Sequence, residues 1–267
     1  MASNLVSIQR RGFGQTMRKD NWWVAPLLTF IGLGAFVVYS TWAAFQGDHY
    51  SVPGTGYISP FYSPEIFGNS PHSWFGPKPS WIPAWLPFSP ALLILWAPGG
   101  FRFTCYYYRG AYYKAMWADP VACAVGEPRS GYRGENWFPL IIQNIHRYFL
   151  YLAIIFLFFL AHDAWKAMWF GEHGSERFGI GVGTIVLTAN VICLGLYTFS
   201  CHSLRHLIGG AWDILSNKPK QKKAYDCVSK LNTRHMLFAW ISLFVVGFSD
   251  VYVRLCSMGI WTDFRIF

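Results

Sequence analysis

Charge is scarce in this sequence: Asp, Glu, Lys and Arg fill only 13% of its 267 positions, where soluble domains carry about a quarter. Beside 53% hydrophobic and 19% aromatic residues, that shortage excludes a disordered chain and argues against a cytosolic globule. Cysteine is sparse too. Six among 267 residues do not make a disulfide scaffold, and the absence of CxxC excludes a zinc ribbon or thioredoxin-type site. Cysteine chemistry must therefore be assembled in three dimensions. Acidic residues are outnumbered 13 to 22, leaving a net charge of +9. Whether that excess attracts nucleic acid or an anionic membrane depends on where the positives fall.

What is abundant is long apolar sequence. A hydrocarbon core about 30 Å thick needs roughly 20 residues of helix, and five stretches qualify, at about 21–47, 87–109, 137–162, 178–204 and 235–258. The second carries Pro98, Gly99, Gly100 and Arg102 inside it, and the first opens on the interfacial pair Trp22 and Trp23. The first is too long, and lacks the small-residue cleavage site, for a removed signal peptide. The chain reads as an all-α integral membrane protein, one anchor domain over 1–267 with no internal repeat, and 48–88 as an irregular outer cap whose His49 and His72 lie at its surface. Fifteen lysines and arginines fall on one side of these spans, among them Arg10, Arg11, Arg18, Lys19, Lys114, Arg129, Arg133, Lys218, Lys222 and Lys223. Four fall on the other, Lys78, Lys166, Arg177 and Arg265. Cytoplasmic loops hold the excess, so the N-terminus is expected in the cytoplasm and the C-terminus outside. Nucleic-acid binding loses its support.

Polar residues at membrane depth are costly and mark functional candidates. Here they gather on the cytoplasmic side. Cys105 to Arg109 end span two, Cys123 follows in a loop, His146 and Arg147 lie inside span three, Cys201, His202, Arg205 and His206 close span four, and His235 opens span five. His202 and His206, four apart, share a helix face and can chelate one metal. Cys105 and Cys123 are separated by a turn and loop that allow both thiolates one metal. Two cysteines with two histidines make the ligand set of a Rieske-type [2Fe-2S] cluster. The favoured set is thus Cys105, Cys123, His202 and His206, with His146, Cys201 and His235 as reserves. A plainer reading stands beside it: membrane cysteines act as small hydrophobes, as for Cys193, Cys227 and Cys256, and His146 bonds across the bundle. A quinone needs a flat apolar slot with hydrogen-bond donors, for which Tyr106, Arg109, Tyr113, Trp117, Ser203 and Arg205 are the candidates. On the outer half, His162, Asp163 and Asp250 offer a proton route, although Asp250 and Arg254, one turn apart, can equally pair with each other.

The strings FRFTCYYYRGAYYKAMWADPVACAVGEP, ENWFPLIIQNIHRYF, FSCHSLRHLIGG and LNTRHMLFAWISLFVVGFSDVYVRL resemble the actinobacterial, mycobacterial succinate dehydrogenase 1 type of the membrane anchor (cytochrome b-type or C subunit) of succinate dehydrogenase and fumarate reductase. The resemblance covers essentially all of 15–265. It implies a plasma-membrane complex with a flavoprotein and an iron–sulfur subunit, alone or with a further small membrane subunit, set in lipid and reducing menaquinone. Five-span anchors of the family hold two haems b on histidines that include one each from spans one and two. This chain has no histidine before His49 and none in span two, so two haems lack ligands. One haem between His146 and a later histidine is the alternative. The actinobacterial type implies instead a membrane-embedded Rieske-type cluster. A non-redox scaffold or transporter is the remaining reading, disfavoured by a midplane nearly free of charge.

Overall fold

A computed structural model of the chain describes residues 12–83, 85, 88–129, 131, 136–138, 140–171 and 174–267. Arg10, Arg11 and Arg133 of the charge census and Pro87 at a span boundary lie outside the described residues. Among those described, nine α-helices, one 3-10 helix and one two-stranded hairpin form: α1 Val24–Gln46, α2 Pro90–Ile94, α3 Trp96–Thr104, α4 Tyr106–Met116, a 3-10 helix Leu140–Ile145, α5 His146–Lys166, β1 Trp169–Phe170, β2 Arg177–Phe178, α6 Val182–Phe199, α7 His202–Gly209, α8 Pro219–Asn232 and α9 His235–Ser257. Four segments are long and apolar enough to cross a membrane: α1, Leu140–Lys166, α6 and α9.

The expected second span is not one helix. α2 and α3 run on through Leu95, whose amide still donates to Ala91 while its carbonyl accepts from Gly99. Pro98 has no amide to donate to the Ile94 carbonyl four residues back, yet the helix carries on past that missing bond to Thr104. The chain breaks instead at Cys105, which is extended at φ −63° and ψ 132°. The expected fourth span breaks in the same way at Cys201, φ −66° and ψ 140°, so His202 and His206 belong to a separate helix, α7. There the carbonyl of Ser200, lost to the helix ladder, accepts from the Asn232 side-chain amide at 2.8 Å, which meets the demand that a buried carbonyl be paired.

The chain forms two compact units, residues 1–35 with 104–144 and residues 36–103 with 145–267. In the first, the strand-like segment around Thr16 bridges Val125. Arg18 donates to Asp20 and to the Cys123 carbonyl at 2.9 Å, and Arg109 to Gln143 at 2.7 Å.

In the second unit α6 packs along α9. The residues they bury include many small ones: Gly183, Thr184 and Thr198 on one, Ala239, Ser242, Gly247 and Ser249 on the other. Small residues let membrane helices approach closely where the hydrophobic effect no longer drives them together. Large apolar residues such as Val38, Phe158 and Phe244 face outward, as lipid requires. The segment 48–83 has no helix or strand, yet it is inserted rather than laid on. Tyr57 and Tyr62 are fully buried, Tyr62 donates to the Ala43 carbonyl at 2.7 Å and stacks on Tyr50, and Tyr57 donates to Asp263 at 2.8 Å. Asp250, also fully buried, ties three elements together. It accepts from Tyr39 of α1 at 2.5 Å, from Ser59 of the inserted segment and from Arg254 at 3.2 Å. Arg254 donates on to the Asp48 carbonyl at 2.9 Å.

Candidate functional site

In the second unit the helix break at the end of α6 creates a polar focus. Cys201 caps α7, its Sγ accepting from the Ser203 amide at 3.4 Å. His146 starts α5, and its Nε2 lies 3.0 Å from the Cys201 Sγ. Phe101 stacks flat on the His146 ring at 4.7 Å, and the same ring hydrogen-bonds the Phe101 backbone. Tyr197 meets Phe101 edge-on at 5.4 Å and stacks on His235 at 5.1 Å. The Nδ1 of His235 lies 2.7 Å from the Ser200 hydroxyl. The order His146, Phe101, Tyr197, His235 is a continuous train of rings, two imidazoles outside and two aromatic faces between. Arg102 covers Tyr197 at 4.8 Å and is anchored on Ser242 at 3.1 Å.

The inner rings also wall a cavity of about 420 Å³. Its lining is mostly apolar, with Phe36, Leu95, Ala153, Leu157 and Val246 among the walls, and Arg102 and Thr198 are among its polar residues, with Ser40 and Thr41. Among the described residues, no histidine lines it. A bis-histidine haem needs imidazoles on facing walls of such a space. This cavity instead keeps His146 behind Phe101 and His235 behind Tyr197.

The break at Cys105 repeats the one at Cys201 in sequence as well as in geometry. Residues 101–109 read FRFTCYYYR and 197–205 read YTFSCHSLR: an aromatic residue, a second Phe, a hydroxyl residue ending the helix, the cysteine, then arginine one turn on. Each cysteine is buried, at 2% exposure. The amide of Arg109 donates to the Cys105 carbonyl at 2.8 Å and that of Arg205 to the Cys201 carbonyl at 3.2 Å. The likeness is a local pattern of five residues, brought out by the two helix breaks.

The other expected site residues fall as follows. Cys123 is exposed, and its backbone carbonyl accepts from Arg18 at 2.9 Å. His202 and His206 are exposed, and His206 Nδ1 lies 2.6 Å from the guanidinium of Arg147. Within each unit no three His, Cys, Asp or Glu side chains among the described residues are arranged to hold a metal ion. Of the quinone candidates, Tyr106, Arg109, Tyr113 and Trp117 lie in the first unit, where Arg109 covers Tyr106 and Tyr113 packs edge-on against Trp117. Ser203 and Arg205 lie in the second, where Arg205 donates to Tyr225 at 2.7 Å. Asp163 accepts from Ser63 and borders a small polar cavity of about 30 Å³ with Glu65, His72, His162 and Lys166. His72 is therefore half-buried rather than at the surface. Burial, with Lys166 and His162 nearby and Glu65 opposing, pushes its imidazole below the usual histidine range. Phe101, Arg102 and Tyr197 are the site residues that residue-type reasoning missed. Their signal was the four-residue step from aromatic to cysteine, repeated.

Residues 24–259 match the family model described as actinobacterial succinate dehydrogenase subunit SdhC. A chain of the Mycobacterium smegmatis Sdh1 complex in the apo form is 44% identical, with a TM-score of 0.86, covering 100% of this chain and 99% of that one. No curated protein sequence is significantly similar.

Proposed function

The chain belongs to the actinobacterial succinate dehydrogenase subunit SdhC family, a membrane anchor of a succinate dehydrogenase complex, and on that footing we propose that it passes electrons from an iron–sulfur subunit to menaquinone through a buried Rieske-type [2Fe-2S] cluster. In this reading it spans the plasma membrane several times, and its basic face receives the iron–sulfur and flavoprotein subunits, where succinate is oxidised.

The observation that carries the proposal is the donor set. Two buried cysteines cap helices in matching surroundings, one of them 3.0 Å from an imidazole. A cluster that must stay out of water draws on buried donors. Burial favours Cys201, His146 and His235 over His202 and His206 in the second unit, and Cys105 over Cys123 in the first, which differs from the order expected from spacing alone. When bound, such a cluster supplies one-electron transfer at a potential raised by its histidine ligands. The chain's own work is positional. Cys201 and Cys105 stand at the starts of α7 and α4. Stacking on Phe101 and Tyr197 fixes the two imidazole planes. The bonds to the Phe101 backbone and to Ser200 engage the ring groups not offered as ligands, as outer partners of metal-bound histidines do.

Menaquinone is placed in the 420 Å³ cavity, one aromatic ring away from each imidazole. Apolar walls suit its ring and tail, and Thr198 and Arg102 are among the polar groups at its edge. The six residues Tyr106, Arg109, Tyr113, Trp117, Ser203 and Arg205 mark the competing position at the cytoplasmic face. Ala153→Trp fills the cavity and should lower quinone reduction at least tenfold with succinate oxidation by an artificial dye acceptor unchanged, whereas Tyr113→Phe should leave both unchanged. The reverse pattern moves the quinone to the cytoplasmic face.

Reduction of menaquinone by succinate is uphill, and protons taken from outside would let the membrane field assist it, by about 2.3 kcal/mol per charge per 100 mV. His162 and Asp163, beside the small polar cavity, are the outer entry point in this proposal; Asp250 is committed to its ion pair. Uncoupler should slow the reaction in sealed vesicles. An uncoupler-insensitive rate removes this part.

A further inference from the structure

The first unit carries a second large cleft, of about 510 Å³, that the electron path does not use. One wall comes from the approach to α1 and its first turns, including Trp22 and Pro26; the other comes from α4, including Tyr106, Ala111 and Lys114. Its floor is small and apolar. Its rim is cationic: Arg18, held in place by Asp20 and the Cys123 carbonyl, and Lys114, which is exposed and makes no hydrogen bond or ion pair among the described residues. Trp22 stands just before a helix long and apolar enough to span a membrane, at the level where indole rings anchor to the headgroup layer. We infer that this cleft is a binding site for one anionic phospholipid, its phosphate between Lys114 and Arg18 and the start of one acyl chain along Pro26 and Ala111.

The charge decides the occupant. A quinone is neutral, so two cations at the rim can donate hydrogen bonds to it but find no charge to neutralise, and a zwitterionic lipid brings its own ammonium group to oppose them. A basic residue near the membrane surface strengthens binding of an anionic headgroup by about fivefold. A phospholipid is amphipathic in the same sense as the cleft, with charge at one end and an apolar run from there inward.

The test uses the purified complex, titrated in detergent with dioleoylphosphatidylglycerol or dioleoylphosphatidylcholine, and counts retained lipid by native mass spectrometry. The wild type should keep the anionic lipid at least about fivefold more strongly. Lys114→Gln should lose about fivefold of that preference, and Lys114→Arg should keep it. Lys19→Gln, which removes an exposed cation outside the cleft, should change nothing. Ala111→Trp should lower retention of the anionic lipid by blocking the floor. Equal retention of the two lipids by the wild type, or the same loss in Lys19→Gln as in Lys114→Gln, overturns the site, because either would describe diffuse surface charge.

Discussion

Replacing Asp250 with alanine separates the two roles open to it, structural tie and proton carrier. Asp250 is 0% exposed and Arg254 4%. The carboxylate takes donors from Tyr39, Ser59 and Arg254, so the substitution strands a guanidinium in a medium that cannot solvate it. Breaking a buried pair by removing one partner costs about 3–5 kcal/mol, and the loss of two hydroxyl partners adds to it. The guanidinium keeps its bond to the Asp48 carbonyl and its place over the Trp42 ring, which holds the figure near the lower end. A loss of that size should lower the unfolding midpoint of the purified complex by on the order of 10 °C and speed proteolysis within 48–83. The double change Asp250→Leu with Arg254→Met should recover most of the stability, since an apolar pair of similar volume replaces a buried ion pair at little cost. Quinone reduction per folded complex, in sealed vesicles with and without uncoupler, completes the assay. If Asp250→Ala melts like the wild type but loses its uncoupler sensitivity, the tie is refuted and Asp250 belongs to the proton route.

Gly56→Ala should cost about 1–3 kcal/mol, read as a lower unfolding midpoint, because the added carbon would meet the Lys166 carbonyl oxygen at 2.1 Å and backbone must shift. His72 has a folded-state pKa below its ordinary 6.5, so the folded form binds fewer protons than the unfolded one just below that value. Stability should therefore fall as pH drops through about 6.5, and His72→Gln should flatten that slope in thermal melts. Gly100→Ala would drive a carbon to 2.2 Å from the Phe149 ring. That should tilt α3, disturb the Phe101 stack on His146, and slow quinone reduction more than dye reduction.

Much of the architecture was legible because apolar length is a direct physical signal. The helices α1, α5, α6 and α9 fall within or close to the stretches read from sequence, with α5 starting later because Leu140–Ile145 is a 3-10 turn. Helix breaks inside apolar runs were not legible. Pro98 and Gly99 looked like the interruption, yet the helix passes through them and stops at Cys105, where no breaker residue stands. Spacing and burial therefore favour different ligands. His202 and His206 do lie one turn apart, but on a short helix whose face is exposed, whereas His146 and His235 are drawn inward by rings 45 and 38 residues away in the chain, Phe101 and Tyr197. Contacts over such separations leave no periodic trace. The segment 48–83 was read as a surface cap because proline, glycine and serine usually mark loops; its buried tyrosines, each with a hydroxyl partner, show why it is inserted instead.

Pulsed electron paramagnetic resonance of the reduced complex tests the central claim most directly, with isotope-labelled histidine and with Cys105→Ser, Cys201→Ser, Cys123→Ser and His146→Ala variants alongside. A Rieske-type signal coupled to two histidine nitrogens should be present in the wild type and in Cys123→Ser, and absent from the other three variants in assembled complex. A sharp Soret band with no histidine-coupled cluster signal, or a signal that survives in Cys201→Ser and disappears in Cys123→Ser, would contradict the account.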